Sequence, residues 1–424
     1  MKFLKEILSK PLFKATSLNG ISILIKMGIG FITSKVIAIF IGPSGMALVG
    51  NLRNFLTSTE AFATLGLENG VVKYVAEHKK DEQKLHQTLS TIFISVVSIC
   101  AVLCFILFFF SNYLNITIFG AAFQYAFVFK ALAIALPFYS GNIFLLATIN
   151  GLGEYKKVIF INIIGSCIGL LVSVLLIWYW QTKGALLSII LTPSLLFLFS
   201  FISINKEIKL IKAVRFKFYN RSFLISLSSY SLMALVSAVF GPIVLLAIRK
   251  NIILQLGIEQ AGFWEAMTRI SSYSFLFITS LIGIYFLPKL AVAKDNQETK
   301  MLFWEYYKGI LPLFMVGMVC MYFLREFIIQ ILFTKAFLPV SKLFFWQLLG
   351  DVFKAASFIL GYQFYAKKLT KAFIVFELFS LTVLYFSSIY CMTLFNIEGV
   401  VMGYAITYAI YFVSLSVYFR KCLG

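Results

Sequence analysis

Long apolar segments, separated by short polar connections, constrain this chain more than any other feature of its sequence. Hydrophobic residues make up 61% of the 424 residues and charged residues only 13%, which is too apolar for a soluble fold. A window of about 19 residues finds apolar segments that are each long enough to cross a bilayer as a helix. We therefore predict an all-α integral membrane protein with twelve transmembrane helices. The predicted helices run over approximately 17–41, 46–76, 87–111, 124–150, 157–180, 184–204, 222–248, 261–288, 301–324, 341–366, 372–395 and 399–419.

Lysine and arginine are distributed unevenly between the two sets of connections. With the N-terminus placed inside, the inner connections carry about four times as many Lys and Arg residues as the outer ones. This bias predicts that both termini are cytoplasmic. The net charge of +20 then reflects membrane topology, and we expect no nucleic-acid partner. Residues 1–14 are too charged for a signal peptide and predict an amphipathic interfacial segment.

The longest polar connection divides the chain nearly in half. When the sequence is shifted by about half its length, Arg53 aligns with Arg269, each about one-third into the second helix of its half. Because six spans bring the chain back to the same side, the halves would be parallel repeats related by an axis along the membrane normal. Chance matching between apolar segments is the alternative. We predict an N-terminal six-helix lobe at 1–204, a cytoplasmic linker at 205–221 and a C-terminal six-helix lobe at 222–424.

Several cations lie inside predicted spans, where an ionised side chain costs about 2.5 kcal/mol or more. Lys26 and Arg53 belong to the two apolar segments that the turn 42–45 joins. A charge at this depth usually faces a protein interior or a wet cavity. We expect both to line a cavity for an anionic ligand. The alternatives are snorkelling of Lys26 to the interface and an interhelical ion pair of Arg53 with Glu60 or Glu377.

Three stretches carry a resemblance to a known family. They are GLENGVVKYVA at 66–76, GFW at 262–264 and WQLLGDVFK at 346–354. In these residues, and over nearly its whole length, the chain resembles the Wzx-type flippases, most closely their enterobacterial common antigen branch. These flippases belong to the multidrug/oligosaccharidyl-lipid/polysaccharide exporter superfamily. The resemblance implies two six-helix lobes around a central cavity, and alternating access.

The resemblance also implies a substrate and a place. An undecaprenyl-diphosphate-linked oligosaccharide, the repeat unit of O-antigen or of enterobacterial common antigen, would pass from the cytoplasmic to the periplasmic leaflet of the bacterial inner membrane. The expected partners are this substrate, the lipid bilayer and other membrane proteins of glycan assembly. We expect a monomer without a cofactor.

A diphosphate crossing the low-dielectric layer needs cations that replace its hydration. Arginine offers two parallel donors to phosphate, and lysine supplies a compact charge. The candidate substrate-binding residues are Lys26, Arg53, Arg249 and Arg269. Arg249 is predicted at the outer end of its span, where it lies at the cavity mouth or anchors the helix at the interface. Arg269 departs from the pattern of the resemblance, in which a small polar residue occupies this position.

Acids inside the spans are candidates for ion coupling. Asp351 and Lys354 are three residues apart and share a helical face, so that a mutual ion pair and a proton- or ion-coupling site are both open. Glu60 and Glu377 are intramembrane acids that either couple transport to an ion gradient or form a structural hydrogen bond.

Other classes of function fit the sequence less well. There is no G-x-x-x-x-G-K-[ST] phosphate loop, and the two His residues share one polar loop, so that neither ATP hydrolysis nor a His-based metal centre is expected. The short outer connections disfavour a membrane glycan polymerase, which would need a large catalytic loop. The main alternative is a drug exporter of the same superfamily, whose site should be acidic. We predict that the protein is not an enzyme.

Overall fold

The computed structural model describes residues 11–208 and 213–423, with side chains at 20, 22–208, 213–220 and 231–423. Most of the predicted interfacial segment and part of the predicted linker, 209–212, lie outside these residues. The described chain is helical and contains no β-strand. Its α-helices are α1 (Pro11–Thr64), α2 (Glu68–His78), α3 (Glu82–Phe109), α4 (Ser111–Ile118), α5 (Ala126–Gly151), α6 (Tyr155–Asn205), α7 (Arg221–Leu256), α8 (Ile258–Leu281), α9 (Leu287–Val292), α10 (Asn296–Phe323), α11 (Arg325–Leu332), α12 (Phe344–Ala366), α13 (Thr370–Tyr418) and α14 (Arg420–Leu423).

Nine stretches of the described residues are long and apolar enough to cross a membrane, in agreement with the predicted all-α membrane protein. Three of them are much longer than one crossing needs: Ser22–His78, Tyr155–Asn205 and Thr370–Tyr418, with 57, 51 and 49 residues. Each contains a backbone conformation that no α-helix adopts. These residues are Gly42, Gln181 and Asn396.

At two of these bends a glycine lets the helix fold back on itself. Gln181 and Asn396 both have a left-handed backbone, with φ of 46° and 51°. A glycine follows three residues later in each case. A Cβ atom on Gly184 would lie 1.8 Å from the backbone oxygen of Leu176, which precedes the bend. A Cβ atom on Gly399 would lie 2.0 Å from the backbone oxygen of Cys391, which precedes the other bend. Any larger residue would therefore force the two arms apart.

Two predicted helix boundaries are wrong. The predicted helix at 46–76 is interrupted, because α1 ends at Thr64 and the chain turns through left-handed residues at Leu65 and Gly66, with φ of 55° and 60°. The predicted helix at 222–248 continues as α7 to Leu256. Arg249, which we expected at a helix end, therefore lies inside α7.

The first of two compact units comprises residues up to 36 together with 51–242. Helix α5 is its centre and packs against α2, α3, α4 and α6. In its most apolar window 67% of the residues are buried, against 28% in α3. A helix that is apolar on all sides is expected at such a position.

The second unit comprises residues 37–50 and the chain from 243 onwards. Helix α12 is its centre and packs against α8, α9, α10 and α13, with 61% of its most apolar window buried. These limits differ from the lobes at 1–204 and 222–424, which remain a prediction.

Candidate functional site

Two arginines of the second unit share one glutamate. Helices α7 and α8 form a hairpin around Gly257, whose φ of 94° opens the turn. The Nη2 atom of Arg249 on α7 lies 2.6 Å from Oε2 of Glu265 on α8. The Nε atom of Arg269, one turn further along α8, lies 3.0 Å from Oε1 of the same carboxylate. The three side chains are only 1%, 6% and 4% exposed, so that the cluster is removed from solvent.

The backbone of α1 closes one side of this cluster. A Cβ atom on Gly50 would lie 2.4 Å from Oε2 of Glu265 and 2.9 Å from Cζ of Arg249. The indole of Trp264 approaches from another side, with its ring centroid 5.0 Å from Cζ of Arg249, which is a cation–π distance. Only glycine at position 50 leaves room for the shared carboxylate in this geometry.

The cluster contains more positive than negative charge. Arginine stays protonated in proteins, and one carboxylate balances only one of the two guanidinium groups. Arg249, Glu265 and Arg269 together therefore carry an excess of one positive charge when the glutamate is ionised. Because the side chains are buried, this charge is screened less than a surface charge and attracts anions more strongly.

A second buried polar cluster surrounds Asp351 on α12. Its Oδ1 atom accepts hydrogen bonds from Ser271 Oγ at 2.8 Å, Tyr404 Oη at 2.9 Å and Gln347 Nε2 at 3.2 Å. The side chain has no exposed surface. Its Oδ2 atom has no hydrogen-bond partner among the described residues. Such a carboxylate can hold a proton or approach a small cation without losing its donors.

Lys354 lies one turn further along α12, close enough for a coulombic interaction with Asp351. No contact within 4.0 Å is described between the two side chains, and the ion pair and the coupling site both remain predictions. The Lys354 ammonium instead lies 4.9, 5.8 and 5.1 Å from the ring centroids of Phe275, Tyr404 and Tyr408. The faces of aromatic rings attract a cation, so that these three rings can stabilise the Lys354 ammonium in an apolar environment.

The first unit contains the other predicted site residues. Lys26 and Arg53 lie on α1 and are exposed. Glu60, also on α1, is partly buried and accepts a short hydrogen bond from the Tyr139 hydroxyl of α5. Glu377, on α13 of the second unit, is partly buried. Of the four predicted substrate-binding cations, the structure joins Arg249 and Arg269 through Glu265, whereas Lys26 and Arg53 belong to the first unit.

Sequence reasoning missed Glu265, Tyr404, Tyr139 and Gly50. The signal for Glu265 is present in the sequence, because it precedes Arg269 by one helical turn. Glu265 also lies as many residues after Gly257 as Arg249 lies before it. In a helical hairpin that turns at Gly257, this spacing places the two side chains at the same level. No comparable sequence signal exists for the two tyrosines or for Gly50, which are distant in the chain from the acids they contact.

The arrangement can attract anions through its cations and can hold protons or cations at its carboxylates. Metal chemistry finds no support in the part of the chain that the structure describes, where no three His, Cys, Asp or Glu side chains are close enough to hold an ion.

Comparison with solved structures identifies the fold. A multidrug resistance MATE family transporter of the MOP superfamily, in its inward-facing conformation, aligns with a TM-score of 0.78 and 12% identity. The alignment covers 94% of this chain and 98% of that one. The outward-facing conformation of a MATE family transporter aligns with a TM-score of 0.70 and 14% identity, over 98% and 96% of the two chains. The fold of this chain is thus similar to that of these two transporters.

Sequence comparison is more specific. The Lipid III flippases of Escherichia coli (strain K12) and Shigella flexneri are each 27% identical to this chain over 401 residues, which is 95% of this chain and 96% of theirs. These matches confirm the resemblance to the Wzx-type flippases. Residues 12–290 match the family described as polysaccharide biosynthesis protein. Because this match spans well over half of the sequence, the chain belongs to the polysaccharide biosynthesis protein family.

Proposed function

We propose that this chain is a flippase that moves an undecaprenyl-diphosphate-linked oligosaccharide from the cytoplasmic to the periplasmic leaflet of the bacterial inner membrane. The observation that carries the proposal is the match to the Lipid III flippases over 95% of the chain. The oligosaccharide would be a repeat unit of enterobacterial common antigen or of O-antigen. A small-molecule exporter is the second candidate, because the structural neighbours are described as multidrug transporters.

The proposed topology has twelve crossings in two six-helix lobes, with both termini cytoplasmic. A straight helix of 54 residues, the length of α1, would extend about 80 Å at 1.5 Å per residue, far beyond a bilayer core of about 30 Å. Each of the three long stretches would therefore cross twice and turn at its bend. The two bends with glycines support a repeat, since Gln181 and Gly184 are as far apart in the chain as Asn396 and Gly399.

Lys26 and Arg53 are the proposed contacts for the diphosphate. Both are cations within long apolar helices, and both are exposed. An exposed cation at membrane depth is stable only if water or an anionic group accompanies it, and a water-filled cavity supplies the first while the diphosphate supplies the second. The polyprenyl tail can stay in the bilayer while the headgroup crosses.

Arg249 and Arg269 are proposed to add positive potential from a fixed position. Their shared glutamate holds both guanidinium groups, and the excess positive charge favours an anion nearby. A diphosphate that reaches the cluster would offer the two arginines additional acceptor oxygens. Direct contact of this kind would require the two guanidinium groups, now 1% and 4% exposed, to turn out of the packed interior.

Coupling to an ion gradient is proposed at Asp351. One of its carboxylate oxygens accepts three hydrogen bonds, and the other, in the described residues, accepts none. Protonation of that second oxygen would remove a buried charge near the Lys354 ammonium and change the balance between two conformations. Glu60, with its Tyr139 donor, and Glu377 are the further candidates for this role.

The protein is proposed to act as a monomer in alternating access, and to deliver its lipid-linked product to the glycan-assembly proteins of the outer leaflet. No covalent chemistry is proposed for it.

Complementation of a deletion strain tests the proposal. Lys26→Ala and Arg53→Ala are expected to abolish the surface glycan and to accumulate the lipid-linked oligosaccharide in the inner leaflet, because the diphosphate loses charge-assisted hydrogen bonds worth about 1.5–3 kcal/mol each. The readouts are the surface polymer and the labelled lipid intermediate, measured at equal membrane levels of each variant.

Lys130→Ala is the matched control, since Lys130 is also an exposed cation within a membrane-spanning helix of the first unit. Its transport should match that of the wild type. Normal glycan from both test variants would refute the assigned residues. Loss of drug resistance, with surface glycan unaffected by deletion of the gene, would favour the exporter.

A further inference from the structure

A basic cavity lies between the beginning of α10 and the C-terminal helix α14, both in the second unit. It has a volume of about 750 Å³. Three lysines line it, and no acidic residue does. The lining residues that matter here are Lys300, Lys308, Lys421, Trp304, Met301 and Asn296. An adjoining cavity of about 590 Å³ shares Asn296 and Lys421 and adds Arg420.

The wall formed by α14 is fixed against α10. The Trp304 indole Nε1 donates a hydrogen bond to the Leu423 carbonyl at 3.3 Å. The Phe303 and Phe419 rings pack edge to face at 6.4 Å, and both are buried. Because these contacts lie on either side of Lys421, they hold its backbone beside the cavity.

Lys308 points back toward the same cavity. Its ammonium lies 5.5 Å from the ring centroid of Trp304, one turn nearer the beginning of α10. Helical side chains lean toward the N-terminus of their helix, so the long side chain returns its charge to the membrane surface at which α10 begins. Within the described ranges, no ion pair involves Lys308 or Lys421.

The nearby acids are engaged elsewhere. Glu305 accepts a hydrogen bond from the Tyr285 hydroxyl at 2.6 Å and lies 3.9 Å from the Lys289 ammonium. Asp295 and Glu298 cap the first turn of α10, where each accepts a hydrogen bond from a backbone amide at 2.8 Å. None of these acids lines the cavity, so that Lys308 and Lys421 have no carboxylate as a direct partner among the described residues.

An exposed apolar strip continues from the cavity along α10. Met301, Trp304, Met315 and Val319 lie within about 60° of one another, and of Lys308, around a helix that turns 100° per residue. Their exposed fractions are 63%, 42%, 45% and 55%. In a membrane-spanning helix such a strip faces acyl chains.

We infer that this cavity binds the headgroup phosphate of an anionic glycerophospholipid, with an acyl chain along the apolar strip. The cations supply charge complementarity, Trp304 supplies an interfacial aromatic, and the strip matches the rest of the amphiphile. A zwitterionic lipid offers no net charge to Lys308 and Lys421. With both termini cytoplasmic, as proposed above, this lipid belongs to the inner leaflet.

Native mass spectrometry of the purified full-length protein tests the inference. The protein is equilibrated in micelles that contain phosphatidylglycerol and phosphatidylcholine, and the retained lipids are counted. Wild-type protein should retain phosphatidylglycerol selectively. A lysine near a membrane surface contributes about 1 kcal/mol, or about fivefold, to anionic lipid binding. Lys308→Gln and Lys421→Gln should each weaken retention about fivefold, and the double variant about 25-fold.

Two matched variants complete the design. Lys335→Gln/Lys342→Gln removes the same charge from exposed lysines elsewhere in the second unit and should change retention less than twofold. Lys308→Arg/Lys421→Arg keeps the charge and should retain the lipid. If the double glutamine variant does not fold, the two single variants decide the outcome.

Equal retention by the test and control variants would overturn the inference, as would equal retention of phosphatidylcholine. Displacement of phosphatidylglycerol by stoichiometric polyprenyl diphosphate would assign the cavity to the transported lipid instead. Transport in the deletion strain is a separate readout, so that failure of the proposed function is recognised independently.

Discussion

The two units hold their membrane-depth cations in different ways. In the second unit, Arg249 and Arg269 are buried and share the carboxylate of Glu265 at 2.6 and 3.0 Å. In the first unit, Lys26 and Arg53 are exposed. A buried guanidinium group must be held by fixed acceptors, because its desolvation costs several kcal/mol. The side chains of Lys26 and Arg53 are not enclosed by protein in this way and are therefore open to contact by a ligand.

The difference shows that a cation within an apolar helix is not by itself a binding residue. The same sequence pattern yields a locked ion cluster in one unit and exposed charges in the other. What separates them is an acid at the matching level of a helical hairpin, which α8 provides for Arg249. Substitutions at the ion cluster of the second unit should therefore lower stability, whereas substitutions of Lys26 and Arg53 in the first unit should lower transport.

Removal of the shared carboxylate should have the largest effect. Glu265→Gln removes the carboxylate that two buried guanidinium groups share, and we expect unfolding to become about 3–5 kcal/mol more favourable. Thermal unfolding of the purified protein in micelles measures this. Glu259→Gln, an exposed acid in the first turn of the same helix, is the matched control and should change stability by less than about 0.5 kcal/mol. Equal stability of the two variants would show that the cluster is solvated.

Each unit contains a tyrosine that donates a hydrogen bond to an acid, and the loss of stability on removing each hydroxyl can be compared. Tyr404→Phe removes one of three donors to the fully buried Asp351 and should cost about 1.5–3 kcal/mol, the range for a hydrogen bond to a charged group. Tyr139→Phe removes the donor to Glu60, which is only partly buried, and should cost about 0.5–1.5 kcal/mol. Denaturant unfolding of both variants gives the ranking. The reverse order would mean that Asp351 is neutral in the folded protein.

Close approach of α1 to the ion cluster can be tested with a single methyl group. Gly50→Ala places a Cβ atom 2.4 Å from Oε2 of Glu265, and displacement of the carboxylate should cost about 1–3 kcal/mol. Gly309→Ala, on α10, meets no atom within 4 Å and should stabilise its helix by about 0.5–1 kcal/mol. Melting temperatures that shift in the same direction for both variants would contradict the packing described here.

The class of fold could be predicted from the sequence, because apolar length and Lys/Arg asymmetry are properties of single segments. The bends at Gln181 and Asn396 fall where short polar breaks predicted the loops. The interruption at Leu65 and Gly66 was missed, although Gly66, Glu68, Asn69 and Gly70 form a short break with two glycines at this point of the sequence. Glu265 was within reach through its spacing to Arg269, whereas contacts such as Asp351 with Tyr404 depend on how α12 packs against α13, which single-segment patterns do not determine.

The smallest expected effect concerns Asp81, a partly exposed acid of the first unit that caps α3 outside the membrane-spanning segments. Its carboxylate accepts a hydrogen bond from the backbone amide of Lys84 at 3.1 Å, which holds the pKa of Asp81 below its usual range. A lowered pKa in the folded state contributes stability above the unfolded pKa of about 4, and this contribution is lost as the pH falls through the folded pKa. Asp81→Asn keeps an acceptor oxygen but not the charge. We expect its melting temperature to lie slightly below that of the wild type at pH 7 and to coincide with it in strong acid. A difference that persists unchanged at low pH would show that the cap depends on shape rather than on charge.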